Sequence, residues 1–174
     1  MAVVDRNGPL KDAWTRIGED APAPKGASVI VSLARLKNEH NSLFSAAGAV
    51  GVEVASDVDL ADLEPFLARL GVIVVRMATM RDGRVFSTGR LLRERYGYAA
   101  DLRAVGDFIP DQVLFLLRCG FTSFEVGEKF PVESLKQSVA AYSVWYQKAT
   151  DRAKSVVELR GENSSRGAPK GSSS

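Results

Sequence analysis

At 174 residues, with 45% apolar and 25% charged residues, the chain has the size and composition of one globular domain with tails. Its formal net charge of +2 falls short of the strongly basic surface that nucleic-acid binding requires. With a single cysteine, Cys119, and a single histidine, His40, one chain cannot build an internal disulfide, an iron–sulfur cluster or a structural zinc site.

Residues 1–27 contain APAPKG and few periodic apolar positions, so they read as a loose lead-in that Trp14 pins to the core. The N-terminus lacks an apolar h-region, and LGVIVV, the longest markedly apolar run, is about a third of a membrane span. The expectation is a cytoplasmic protein with no membrane contact. The β-branched run SVIVSLARL predicts a strand over Ser28–Leu36. His40 follows in the polar segment KNEHNS, without the glycine elbow of a hydrolase triad, and reads as a surface or capping residue.

GVEVAS predicts a second strand over Gly51–Ser56. Leu60, Leu63, Leu67 and Leu70 then recur at helical spacing, with Asp59 at the N-cap and Gly71 closing the helix. The apolar run Val72–Met77 predicts a strand buried on both faces. STGRLLRERYG predicts a helix capped by Ser87, with Gly97 just past its end. DLRAVG gives a short strand, DQVLFLLRCG a helix closed by Gly120, and TSFEV the last strand. The segment Pro131–Gln147 predicts a final helix with Leu135, Val139 and Tyr142 on one face.

Strand and helix thus alternate about five times, the pattern of an α/β domain with a mainly parallel sheet. An open doubly wound sheet suits five units better than an eight-fold barrel of about 250 residues; the alternative is a half-barrel, which a second copy of the chain would complete as a homo-oligomer. The domain is placed at 28–150. The Gly/Ser/Pro-rich end, 160–174, reads as a disordered tail.

Six arginines fall between Arg81 and Gln112, around two loops that leave the carboxyl ends of predicted strands. Ligands bind at such loops in parallel α/β folds. In the first loop, Asp82 and Gly83 form a turn dipeptide. Arg84 precedes a helix N-terminus, and Ser87, Arg90 and Arg93 follow it. Guanidinium groups beside unpaired helical N–H groups match a sulfite, sulfate, phosphate or carboxylate. The alternative is a solvated helical face whose arginines pair locally with Glu94 or Asp101, and Arg95 belongs to that class. In the second loop, Asp107 is either a functional carboxylate or the cap of the next helix, with spacing favouring the cap. Asp111 suits the helix dipole, Gln112 faces the core or the site, and Arg118 stabilises the helix C-terminus. Cys119 reads as a small buried filler beside Gly120.

The segment DGRVFSTGRLLRERYGYAADLRAVGDFIPDQVLFLLRCGF, with the later AYSVWYQ, resembles the bacterial domain-of-unknown-function family 934. The matching features are Asp82-Gly83-Arg84, Ser87, Arg90, Arg93, Leu102 to Asp107 with Gly106, Asp111-Gln112, Arg118 and Gly120-Phe121. The close match spans about forty residues, and weaker similarity extends from Ser28 to Gln147. The sequence departs from the family pattern before the turn, where it reads Arg76 to Arg81, and at Ala100.

The resemblance implies sulfur assimilation, an oxidoreductase label and sulfite reductase as a partner. No GxGxxG fingerprint opens a helix, so no nucleotide cofactor is evident, and no metal ligand set is found. The resulting expectation is an accessory protein or oxidoreductase of assimilatory sulfite reduction. It would hold an oxyanion or anionic metabolite with Arg84, Ser87, Arg90, Arg93, Arg103 and Gln112. One alternative is an enzyme with Asp82 or Asp107 as general base; the other is a non-catalytic interaction protein in which these residues form internal ion pairs.

Overall fold

The computed structural model describes residues 1–141 apart from Met80 and Asp107. One eight-stranded sheet runs through it, and its strands are β1 (Ala2–Asp5), β2 (Gly8–Leu10), β3 (Trp14–Arg16), β4 (Ser28–Ser32), β5 (Ala49–Ala55), β6 (Leu70–Arg76), β7 (Asp101–Val105) and β8 (Ser123–Val126). Their spatial order is β2-β1-β8-β7-β6-β5-β4-β3. The six strands from β3 to β8 are parallel, and β1 runs antiparallel to both β2 and β8.

The strand order from β3 to β8 never reverses. The connections therefore all step in one direction, which places their helices on one face. Those helices are α1 (Leu33–Ala46), α2 (Arg84–Glu94), α3 (Pro110–Arg118) and α4 (Val132–Ala141). Strand alternation does the sorting. Val29, Val31, Val52, Ile73, Val75, Leu102, Ala104 and Phe124 face the helices and form one core with Leu36, Leu92, Leu116 and Leu135. Ile30, Val72, Val74 and Val105 face the other way, packed with Trp14. The sheet is a curled half-barrel, which replaces the doubly wound arrangement expected from sequence.

One connection shows the curl directly. Only Lys11–Ala13 joins β2 at one edge to β3 at the other, so the edges lie within four Cα steps, at most about 15 Å. Trp14 fills the inner face near Gly71, where an added Cβ would lie 2.8 Å from the indole.

More strands form than the sequence pattern suggested, and the extra three lie within residues 1–27. Each is only three or four residues long, too short for alternation to register. The expected strand Ser28–Leu36 stops at Ser32, whose side chain caps α1 by accepting the Arg35 N–H at 3.1 Å. Arg35 is buried and donates to the Gly18 carbonyl and, at 2.7 Å, to that of Ala21, tying the lead-in to α1.

The expected helix over Asp59–Gly71 is a pair of 3-10 turns, Leu60–Asp62 and Glu64–Arg69. Asp59 does cap the first, but Pro65 has no N–H for an α-helical ladder, and Gly71 lies inside β6. Ser87 is not an N-cap, because α2 begins three residues earlier at Arg84. Gly97 and Gly120 take the left-handed φ values of 65° and 93° past the ends of α2 and α3, as their positions predicted. Tyr142, Asp107 and the tail 160–174 lie outside the described residues.

Candidate functional site

Two polar clusters flank the sheet, one outside the curl beside α2, where β5 and β6 end, and one inside it. Ser56, just past β5, donates its N–H to the Arg76 carbonyl at 3.2 Å and so sits at the end of β6. Its hydroxyl donates to Asp82 Oδ2. Asp82 is buried, and its Oδ1 accepts the Arg84 backbone N–H at 3.2 Å and Arg84 Nε at 2.9 Å. Arg84 Nη1 reaches Asp57 Oδ2 at 3.1 Å. Below them the Thr88 hydroxyl donates to the Ser56 carbonyl at 2.8 Å, tying the second turn of α2 to the end of β5.

The side-chain hydrogen bonds from Arg84, then from Ser56, hold the Asp82 carboxyl down at about 2. The same contact raises the Arg84 guanidinium above its ordinary value. Gly83 precedes α2 without a side-chain cap; the Arg84 N–H goes to Asp82 and the Phe86 N–H to the Gly83 carbonyl at 3.3 Å, and the positive end of the helix dipole lies beside Arg84.

The inner cluster runs across the concave face. Arg103 on β7 is 4% exposed and donates to Ser123 Oγ at 3.2 Å, Asp12 at 3.1 Å, and Glu125 and Asp101 at 3.4 Å each. Glu125 also accepts from Arg16 Nη2 at 2.8 Å. Arg16 Nε donates to Glu53 Oε2 at 2.6 Å, and Arg76 Nε donates to Glu53 Oε1 at 2.7 Å. Burial pushes the Glu53 carboxyl up, but hydrogen bonds from Arg16 and Arg76 outweigh it and hold the group below its ordinary value.

The structure gathers Asp82, Gly83 and Arg84 in one corner and scatters the other residues singled out from sequence. Ser87 lies one turn into α2. Arg90 projects to Glu94 at 3.4 Å, an exposed i,i+4 pair. Arg93, at the far end of α2, donates to the carbonyls of Tyr98, Ala100 and Gly120 at 2.5, 2.8 and 2.8 Å, closing the amino end of the sheet. Arg103 belongs to the inner face. Gln112 accepts the Ile109 N–H at 3.2 Å, one residue after Asp111 in the first turn of α3, and Arg118 ends that helix. Gly106 lets the β7–α3 loop lie against the β6–α2 loop, since a Cβ there would come within 3.3 Å of Met77. Asp107 is outside the described residues.

Sequence reasoning missed Ser56, Asp57 and the inner residues Arg16, Glu53, Arg76 and Glu125. The signal for the glutamates was present. In VEV and FEV a carboxylate occupies a strand position whose two neighbours face the core. Such a residue must face the opposite side of the sheet.

Among the described residues no three His, Cys, Asp or Glu side chains gather closely enough to hold a metal ion. No described helix is long and apolar enough to cross a membrane.

Fold and rim together define a singly wound α/β half-barrel with charged groups at the carboxyl ends of its strands. The chain belongs to the family described as "Bacterial protein of unknown function (DUF934)", whose profile matches residues 51–157, from β5 onward. None of the curated proteins compared with the chain matches it.

Proposed function

We propose that the protein is an accessory component of assimilatory sulfite reduction that holds a small oxyanion or anionic cofactor at the Asp82–Arg84 corner. The sulfur context comes from the motif resemblance between Asp82 and Phe121. The observation that carries the binding is the two-sided pairing of Arg84. Buried Asp82 grips Nε, while among the described residues Nη1 meets only Asp57, whose side chain is 56% exposed. An exposed ion pair of that kind contributes less than about 1 kcal/mol, so an incoming oxyanion can displace Asp57 without disturbing Asp82. The guanidinium is thereby fixed in direction beside the positive dipole end of α2, which suits a bidentate acceptor.

Asp82 serves this reading as an anchor. A carboxyl held at about 2 is far from the value near 7 that favours a general base. A second reading is favoured by the same contacts. Ser56, Asp57, Asp82, Arg84 and Thr88 already form a connected network, as they would in a non-catalytic protein whose helical faces contact sulfite reductase or another chain.

Growth of a deletion strain on sulfate, sulfite, sulfide or cysteine as sole sulfur source tests the context. Growth on sulfide and cysteine but not on sulfite supports the proposal, and equal growth on all four removes it. Complementation by an Arg84→Ala variant then separates the readings, since loss of rescue favours the oxyanion site and full rescue the interaction protein.

A further inference from the structure

The concave face of the curled sheet is at odds with its own neighbours. Ile30, Val72, Val74, Val105 and Trp14 line it with apolar surface, the usual filling of a small curled sheet. Among them stands a ladder of ions: Arg103, Glu125, Arg16, Glu53 and Arg76, each paired to the next. Burying such ions costs desolvation that their attraction does no more than offset, and apolar side chains of equal volume would hold the sheet as well. Departures of this kind from a consistent core concentrate at functional sites.

The ladder has a direction. Side-chain exposure along it is 4% at Arg103 and Glu125, 40% at Arg16, 20% at Glu53 and 52% at Arg76, so the Arg103 end is closed and the Arg76 end open. Arg76 is the last residue of β6 and pairs with Ala55, the last of β5, so the ladder opens at the carboxyl ends of the parallel strands. That is the end of a parallel α/β curl where ligands bind. The donor geometry fits a ligand there. Arg16 uses Nε on Glu53 and Nη2 on Glu125, and Arg76 uses Nε and Nη2 on Glu53. Among the described residues neither Nη1 has a protein partner, although each carries two N–H donors. Glu53, gripped from both sides, holds the two forks in place by its separate oxygens.

We propose that the mouth of the curl is a second ligand site, distinct from the Arg84 corner, in which the Nη1 groups of Arg16 and Arg76 take the oxyanion of a small metabolite. The N-terminal strand β3 supplies one of the two arginines, so the site requires residues 1–27 as well as the part that matches the family.

The test is a titration of the full chain with inorganic phosphate, sulfite or acetate, followed by NMR at the arginine Nε–Hε signals. Saturable shifts at Arg16 and Arg76 with at least one probe are expected. The set of probes that bind separates tetrahedral and pyramidal oxyanions from carboxylates. Arg76→Gln is expected to weaken that binding at least tenfold, whereas Arg84→Gln leaves it unchanged. No saturable shift at Arg16 and Arg76, or undiminished binding by Arg76→Gln, overturns the proposal. So do shifts confined to Arg84, an outcome that would leave the function proposed above intact. Should Arg76→Gln not fold, the wild-type shifts at Arg16 and Arg76 decide alone.

Discussion

Arg16 on β3 and Glu125 on β8 form an ion pair of 2.8 Å although four strands stand between them. In a flat sheet those strands would lie about 24 Å apart at the usual spacing. The pair therefore exists only because the sheet curls, and it joins the charges of the inner face into one chain.

The inner residues should respond to mutation according to their burial. Glu125→Ala leaves Arg103 and Arg16 short of a carboxylate, and at 4% exposure Arg103 cannot turn to water. A loss of about 3 kcal/mol is expected in denaturant melts. Arg16→Ala, on a side chain 40% exposed, is expected to cost less than about 1 kcal/mol. Equal costs for the two would contradict the gradient of burial.

Acid stability should depend on Asp82. Its carboxyl sits at about 2 in the folded protein against an ordinary value of 3.8. A group depressed by folding contributes stability above its unfolded value and loses it as the pH falls through the folded one. The contribution is thus full above about pH 4 and gone below about pH 2, and Glu53 acts in the same direction. Melting profiles over that window should be flatter for Asp82→Asn than for the wild type, relative to their plateaus near neutrality. Parallel profiles would mean that Asp82 is not held ionised by Arg84 and Ser56.

The seat of α2 on the sheet depends on Gly89. A Cβ at that position would collide with the ring of Phe121, which is fully buried, and lie 3.1 Å from the Cys119 carbonyl. Gly89→Ala is expected to destabilise the protein by about 1–3 kcal/mol through overpacking, despite the better helix propensity of alanine. Thermal unfolding decides the sign.

Helix α1 provides a check on a different link. Ser32 accepts the Arg35 N–H at its start. Ser32→Ala should cost about 1 kcal/mol. An unchanged denaturation midpoint would show that packing of Leu36 and Leu43 alone positions the helix.

The sequence was most legible where apolar residues kept one period over a whole element. Val72–Met77 and the run ending at Gly120 read correctly for that reason, and the Gly97 and Gly120 ends carried their own signal. It was least legible where one element passes into another without punctuation. Leu33–Leu36 continues the apolar character of β4, and only Ser32 marks the change to α1. Sheet curvature was illegible, because nothing local in Trp14–Arg16 announces a partner 109 residues away at Glu125. At the site, Asp82-Gly83-Arg84 was visible as a turn beside a helix. Ser56 and Asp57 were not, since their role comes from the adjacency of β5 and β6 and not from any spacing in the chain.

The central claim is that the Arg84 corner takes an oxyanion, and titration of sulfite into the full chain, followed at the amide signals of Arg84, Val85 and Phe86, tests it most directly. Saturable shifts in the wild type that disappear in Arg84→Ala, with the fold retained, are the predicted result. Signals that stay in place at all sulfite concentrations, or shifts that persist unchanged in Arg84→Ala, would contradict it.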